Sequence, residues 1–271
     1  MPDLSARQWN SLTDEDVADV VARDPVVVLP LAATEQHGPH LPITTDIDIG
    51  VGLLEIALRA LPQDANVWVL PPVRIGASAE HLSFPVTASV STEELTATIV
   101  RDGSILAERG VRRLVLANSH GGNRHAMEAA GIELRRRHTM LVVKASYFRF
   151  DRPDVALPEA EWRHGLHGGA VETAIMMHLA PERVEREQLA DFPSLGAELA
   201  ETLVRLGPEG QASFAWLAED LNPSGVVGDA RLATPELGER LAEHYGRALG
   251  EVIADAARFP LERLAAEPPP R

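Results

Sequence analysis

Four short, mostly apolar segments occur along the chain, and each predicts a strand. They cover residues 26–31, 67–70, 113–118 and 140–148. The first run is a Val-Val-Val-Leu-Pro-Leu sequence, without the alternation of polar and apolar residues that marks a half-exposed strand. Continuous aliphatic runs of this kind are typical of parallel strands that helices cover on both faces.

Segments with helical patterns lie between and after these runs. The spacing of Ser91 and Glu94 matches a capping box, and Thr234 followed by Pro235 is a favourable helix start. The predicted helices span residues 13–22, 47–61, 91–109, 124–137, 172–179, 195–206 and 235–258. This alternation favours an α/β fold with a mostly parallel sheet and helices on both faces. We expect a single domain over 1–266 and a short disordered Pro-rich tail at 267–271.

Composition narrows the range of functions. The chain has 271 residues, 45% of them hydrophobic, and a net charge of -15 from 40 acidic and 25 basic residues. An acidic surface repels phosphate backbones, which argues against nucleic-acid binding. No apolar stretch reaches the roughly 18 residues that a membrane span requires. Because cysteine is absent, any metal must be held by nitrogen and oxygen ligands. No secretory signal is visible, and we expect a cytoplasmic protein.

Residues that bind metals concentrate just beyond two predicted strands. Glu35, His37 and Asp46 follow the first strand, and His120 follows the strand that ends at Asn118. Ligands in open α/β sheets gather at the carboxyl ends of the strands. Glu35 and His37 are two residues apart, so on an extended loop they point to opposite sides and could serve two different metals. Imidazole and carboxylate suit zinc, manganese or iron, so these residues alone do not name the metal.

A third polar segment covers residues 164–173. Gly168 and Gly169 leave the backbone open there, and Glu172 begins an otherwise apolar helix. A carboxylate in that place needs a partner, which a metal would supply. His167 lies close to Glu172 in this segment. An unperturbed histidine has a pKa of about 6.5, which suits it to shuttle protons.

Simpler roles exist for each of these acids. Asp46 fits the N-cap of the helix predicted from residue 47, and Glu35 could cap a neighbouring helix. Glu172 could be a first-turn acid that the helix dipole favours. A shared metal site accounts for all of them at once, including their concentration near strand ends, and we prefer that interpretation.

Several motifs together resemble those of the creatininase family of amidohydrolases. They are Glu-Gln-His-Gly-Pro-His-Leu-Pro at 35–42 with Asp46, Ser-Phe-Pro-Val-Thr at 83–87, Asn-Ser-His-Gly-Gly-Asn at 118–123 and His-Gly-Gly-Ala-Val-Glu-Thr at 167–173. They come in the family's order and cover roughly residues 8–255. The resemblance implies a three-layer α/β/α fold, two divalent metal ions per chain and a homo-oligomer, commonly a hexamer.

The resemblance also implies roles for the candidate ligands. Glu35 and His120 would bind one metal, His37 would bind the other, and Asp46 would bridge both. In creatinine hydrolases proper, an aromatic residue and a glutamate follow the histidine of the Asn-Ser-His motif, whereas this chain has glycine at both positions. Glu172 is then the candidate that completes the second metal site.

The glycine pair, Gly121 and Gly122, bears on the substrate as well. It resembles relatives that hydrolyse other amides, among them formamide-type hydrolases and the peptidase that trims the mycofactocin precursor, and segment 221–229 resembles a late element of that last group. We predict hydrolysis of a cyclic or linear amide by a metal-activated water, with His167 protonating the leaving nitrogen. We expect the bond to be a carbon–nitrogen bond other than an ordinary peptide bond. The alternatives are a creatinine amidohydrolase proper, a peptidase of the mycofactocin-precursor type and a metal-binding homologue without activity.

The loop at 77–81 is the expected wall of a pocket for a small-molecule amide. Ser78 is a candidate to hydrogen-bond the substrate, while Glu80 and His81 either line the pocket or face water. Gly121 would let the substrate approach the backbone. Trp162 either offers an aromatic face to the substrate or packs as a partly buried residue.

Overall fold

A parallel four-stranded sheet forms the centre of the fold, in a computed structural model that describes residues 7–264. The strand order is β2-β1-β3-β4. The expected disordered tail at 267–271 lies outside the described residues. The strands of this sheet are β1 (Val26–Leu31), β2 (Val67–Val69), β3 (Arg113–Asn118) and β4 (Leu141–Ser146).

The two central strands, β1 and β3, agree with the apolar runs that predicted them. All six residues of each strand are buried, and the strands pair in register from Val26 opposite Arg113 to Leu31 opposite Asn118. The edge strand β4 is shorter than the predicted 140–148, because residues Tyr147–Arg149 turn into a 3-10 helix.

Helices cover both faces of the sheet. The helices are α1 (Asp14–Ala22), α2 (Thr45–Ala60), α3 (Thr92–Glu108), α4 (Arg124–His138), α5 (Glu159–His164), α6 (Ala170–Leu179), α7 (Leu195–Leu199), α8 (Ala218–Leu221) and α9 (Pro235–Arg258). Val27 and Leu29 of β1 pack with α3 and α4 on one face, whereas Val26 and Val28 pack with α2 and α9 on the other. The predicted α/β class, with helices layered on both faces of a parallel sheet, is confirmed.

A second apolar cluster joins α6 to the layer that contains α2 and α9. Ile49 and Leu53 of α2, Ile175 of α6 and Leu241 of α9 are buried together in it. Because α2 also packs on the sheet, α6 and the polar segment before it are held in a defined place relative to the strand ends.

The chain between α6 and α9 departs most from the predicted elements. The helix predicted over 195–206 is wrong: α7 ends at Leu199, and the chain passes into two-residue strands. The two-residue strands of this region are β5 (Asp191–Phe192), which precedes α7, and β6 (Leu206–Gly207), β7 (Ala212–Ser213) and β8 (Gly228–Asp229), which follow it. Val204 is 91% exposed, so its part of the apolar pattern has no layer to pack against.

Helix starts follow the capping signals closely. Ser91 and Glu94 form the expected capping box at the start of α3, and Thr234 caps α9. Among the described residues, no helix is long and apolar enough to cross a membrane.

Candidate metal centre

The loop after β1 buries two of the candidate ligands. The Glu35 backbone N–H donates to the carbonyl of Ile43 at 3.1 Å, and His37 forms a β-bridge with Leu41, so the loop folds back on itself. Glu35 and His37 are consequently 0% and 1% exposed. The His37 Nδ1 lies 3.1 Å from the carbonyl oxygen of Glu35, an arrangement in which Nδ1 carries the proton and Nε2 is free to bind.

Asp46 lies in the first turn of α2. The alternative that Asp46 is the N-cap of this helix is wrong, because the helix begins at Thr45 and its N-cap is Thr44. The Asp46 side chain is instead aimed at two histidines. Its Oδ1 lies 3.4 Å from His37 Nε2, and its Oδ2 lies 3.3 Å from His120 Nδ1.

His120 stands just beyond β3, where the Asn118 amide holds the chain by donating to the His120 carbonyl at 2.7 Å. The His120 Nδ1 lies 3.2 Å from Oε1 of Glu35. Its Nε2 lies 3.2 Å from both the Ala77 carbonyl and the Ser78 hydroxyl. The loop at 77–81 therefore orients this imidazole, leaving Nδ1 for the centre of the cluster.

Glu172 reaches the cluster from the first turn of α6. It accepts from the Gly168 N–H at 2.7 Å through Oε2 and from the Tyr147 hydroxyl at 3.3 Å through Oε1. Glu172 Oε2 also lies 4.0 Å from Nε2 of His37. It is thus both a first-turn acid and a neighbour of the other candidate ligands, and α6 begins at Ala170, two residues earlier than predicted.

These five side chains form two sets of three that share one residue. Glu35, Asp46 and His120 offer ligand atoms within 4.8 Å of one another, and so do His37, Asp46 and Glu172. Asp46 belongs to both sets, and its bridging role stays a prediction. A further set joins Glu35 and His37 to His167, so the catalytic candidate adjoins the same centre.

The buried atoms of the cluster fit divalent cations. Both carboxylate oxygens of Glu35, Nε2 of His37 and Oδ2 of Asp46 are buried and make no hydrogen bond within the described part of the chain. Buried carboxylates without partners are costly unless a cation coordinates them. Nitrogen and oxygen donors of this kind suit zinc, manganese or iron.

Without bound ions, the pKa values of the cluster depend on the pairing of its histidines with its carboxylates. Burial lowers the pKa of His37, but Asp46, Glu172 and Glu35 together outweigh burial and raise that pKa to about 9. Burial raises the pKa of Glu35, yet His120, together with His81 and His167, holds it well below its usual value. Protons on the histidines thus balance the carboxylates, and bound cations would take their place.

His167 lies between two other imidazoles. Its ring centroid is 4.2 Å from that of His37 and 4.3 Å from that of His81. The His167 Nε2 lies 2.8 Å from the carbonyl of Gln36, and its Nδ1 lies 3.7 Å from Oε1 of Glu35. With the Nε2–H donating to that carbonyl, Nδ1 is the atom that faces the cluster.

The candidate pocket residues occupy different surroundings. His81 is 2% exposed with Nε2 3.6 Å from Glu35, so it does not face water, and the Glu80 side chain is 22% exposed beside His120. Gly121 is exposed, with nothing within 4 Å of the place a Cβ would occupy. Trp162 is partly buried in the cluster around α6, and the Arg152 guanidinium lies 5.2 Å from its ring.

Three buried polar residues near the centre were not predicted from the sequence. Gln36 bridges the Gly38 N–H and the Gly225 carbonyl with its side-chain amide. His40 contacts the loop before α6, and the buried Glu161 accepts from two backbone N–H groups. The motif 35–42 contains the first two, but nothing in the pattern around Glu161 marks it.

Comparison with known proteins shows that the chain is similar to creatininases and to a peptide peptidase. The family model described as Creatininase: Creatinine amidohydrolase matches residues 10–253. The chain is 33% identical to the mycofactocin precursor peptide peptidase of Mycolicibacterium smegmatis over 80% of this chain and 79% of that one. Similar solved structures include one named Creatininase Mn, with a TM-score of 0.72, 26% identity and coverage of 94% of this chain and 99% of the other. A creatininase mutant of the Zn-Zn type has a TM-score of 0.69 and 27% identity, with coverage of 93% and 98%.

Proposed function

The chain belongs to the creatininase family, and on that premise we propose that it is a metal-dependent amidohydrolase that holds two divalent ions at the centre described above. The observation that carries the proposal is the sharing of Asp46 between two sets of three ligands. Buried atoms of Glu35 and His37 that make no hydrogen bond to any described residue support it, because cations would satisfy them.

Each ion would have its own ligand set. Glu35, Asp46 and His120 would hold one, and His37, Asp46 and Glu172 would hold the other. When bound, the ions would supply a water of lowered pKa and polarise the amide carbonyl. The donor set fits zinc, manganese or iron.

His167 would act as the acid that protonates the leaving nitrogen. Its Nε2–H is engaged by the Gln36 carbonyl, so the proton must pass through Nδ1, on the side of Glu35. Burial lowers the pKa of His167, and His37 lowers it further, which favours a neutral imidazole that can first take up a proton and then release it.

The surroundings of the glycine pair support an extended amide substrate over creatinine. Gly121 opens into free space beside the proposed ligand His120, so a long substrate would meet no obstruction at that position. A side chain at Gly122 has no room, because a Cβ would lie 2.1 Å from the Ala77 carbonyl oxygen. The relative from Mycolicibacterium smegmatis, whose name describes a peptidase, points the same way. We therefore propose a linear, peptide-like amide, and creatinine is the second candidate because the family is described as creatinine amidohydrolase.

The proposal is tested by metal analysis together with an amide panel. We expect about two transition-metal ions per purified chain and turnover of short peptides or linear amides in preference to creatinine. Asp46→Ala should lose both metal and turnover, because both ligand sets lose a member. Asp48→Ala is the matched control, since Asp48 lies in the same helical turn but pairs with Thr44 and Arg183.

Two outcomes would contradict the proposal. Full metal content in Asp46→Ala would remove the bridging role, and a metal-loaded wild-type protein that hydrolyses neither peptides nor creatinine would point to the inactive homologue. Preferential turnover of creatinine would support the amidohydrolase activity but would show that creatinine, rather than a peptide-like amide, is the substrate.

A further inference from the structure

A buried carboxylate outside the ligand sets joins two segments that meet at His167. Glu161, on α5, is 6% exposed. Its Oε1 accepts from the Ala170 N–H at 2.6 Å, and its Oε2 accepts from the Asp229 N–H at 2.8 Å. No lysine, arginine or histidine between residues 7 and 264 pairs with it in an ion pair, so the two N–H groups and the amino end of α6 stabilise its charge.

The first of these segments contains the catalytic candidate and a ligand. Ala170 is the first residue of α6, three residues after His167 and two before Glu172. The bond from Ala170 to Glu161 therefore fixes the backbone between those two functional side chains.

The second segment, residues 225–229, closes over His167 from the other side. The Val227 N–H donates to the His167 carbonyl at 2.8 Å. The Gly225 carbonyl accepts from the Gln36 amide at 2.6 Å, and the Gln36 carbonyl is the group that binds Nε2 of His167. Segment 225–229 thus contacts both the backbone of His167 and the residue that holds its ring.

Three glycines allow the backbone to close around the Glu161 carboxylate. A Cβ at Gly165, Gly169 or Gly228 would lie 2.3, 2.5 or 2.6 Å from Oε1. Real Cβ atoms essentially never come this close, so each position needs glycine while the carboxylate is there. The backbone therefore packs closely against the Glu161 carboxylate at all three glycines.

We propose that Glu161 is a positioning residue for His167: by binding Ala170 and Asp229 at once, it sets the imidazole between the Gln36 carbonyl and the metal ligands. This inference rests on the proposed function, because it takes His167 as the proton carrier. Glu161 itself does not touch the substrate. An amide in its place keeps the shape but not both acceptors, so one of the two N–H groups would face an NH₂ group.

The test compares Glu161→Gln with Glu159→Gln in the full-length, metal-loaded protein. Glu159 lies on the same helix, where its side chain is 76% exposed and pairs with Arg152. We expect Glu161→Gln to keep its metal content and its KM while kcat falls by roughly tenfold to 100-fold, the size of effect that small misplacements of a catalytic group produce. Glu159→Gln should match the wild type.

A second measurement does not depend on turnover. In the ion-free and metal-loaded protein, the bond to Gln36 should protect the Nε2–H proton of His167 from exchange. That imidazole proton is observable by NMR with labelled histidine and is identified by its absence from His167→Ala. We expect Glu161→Gln to broaden or lose this signal, while Glu159→Gln retains it.

The outcomes separate this inference from the proposed function. Normal kcat and an unchanged His167 signal in Glu161→Gln would overturn the positioning role, and so would a loss of activity that only follows loss of metal. If no amide is hydrolysed by the wild type, the proposed function fails, yet the NMR signal still decides the role of Glu161. Glu161→Asp serves as a second variant, because it keeps the charge but withdraws it by one methylene. Failure of both variants to fold would also contradict a role specific to His167.

Discussion

Gly122 and Gly121 are adjacent, but a methyl group at each would meet very different surroundings. A Cβ at Gly122 would lie 2.1 Å from the Ala77 carbonyl oxygen, 2.6 Å from Nε2 of His120 and 2.8 Å from Oε1 of Glu80. Ordinary contact begins near 3.4 Å, so the nearest overlap exceeds 1 Å and involves a backbone atom. A Cβ at Gly121 would have nothing within 4 Å.

We therefore expect Gly122→Ala to destabilise the protein by about 1–3 kcal/mol, the usual cost of forcing extra volume into a packed site. The Ala77 carbonyl must move, and because it faces Nε2 of His120, the imidazole should move with it. Changes to groups that orient a metal ligand typically weaken metal binding by about 10–100-fold. Gly121→Ala should stay within about 0.5 kcal/mol of the wild type and bind metal normally, since surface changes rarely do more.

Two assays measure these effects. Chemical denaturation of the ion-free proteins gives the free energy of unfolding, and competition with a chromogenic chelator gives the metal affinity. If Gly122→Ala and Gly121→Ala are equally stable and bind metal equally well, the close approach of the 77–81 loop to His120 is refuted.

Three further outcomes follow from the same structure. His167→Ala should lose turnover and keep its metal, and normal turnover on a proven substrate would exclude it as the acid. Metal binding at pH 7 should release protons and strengthen as pH rises towards 9. Burial lowers the pKa of His37, but Asp46, Glu172 and Glu35 together raise it to about 9, so an ion bound at His37 displaces a proton. Calorimetry in buffers of different ionisation enthalpy would detect the release, and affinity independent of pH would contradict it. Ser91→Ala should lower the free energy of unfolding by roughly 0.5–2 kcal/mol through loss of the capping box with Glu94, and an unchanged denaturation midpoint would refute that contribution.

The parts of the fold that could be predicted are those that local pattern determines. The run from Val26 to Leu31 is buried throughout because helices cover both faces of β1, and a continuous apolar run is what that environment selects. The capping boxes marked helix starts for a similar reason, since both partners lie within four residues. The helix over 195–206 failed because its apolar residues, such as Val204, have no partner layer, which depends on the tertiary structure.

The candidate site likewise contains residues that the sequence predicts and some that it does not. Glu35, Asp46 and His120 were predicted because they stand near the carboxyl ends of parallel strands, where topology alone brings residues together. Glu161 was missed because it binds backbone groups 9 and 68 residues away, and backbone donors leave no signature in the sequence. The roles of all these residues, and the homo-oligomer implied by the family motifs, stay predictions.

The open space at Gly121 has a practical consequence in a chain without cysteine. A Gly121→Cys substitution would introduce a lone thiol into the sequence, at an exposed position directly after the proposed ligand His120. A fluorophore or spin label attached there would need no background thiols removed beforehand. Paramagnetic ions at the centre would then change its signal through proximity, which makes occupancy of the site visible in real time.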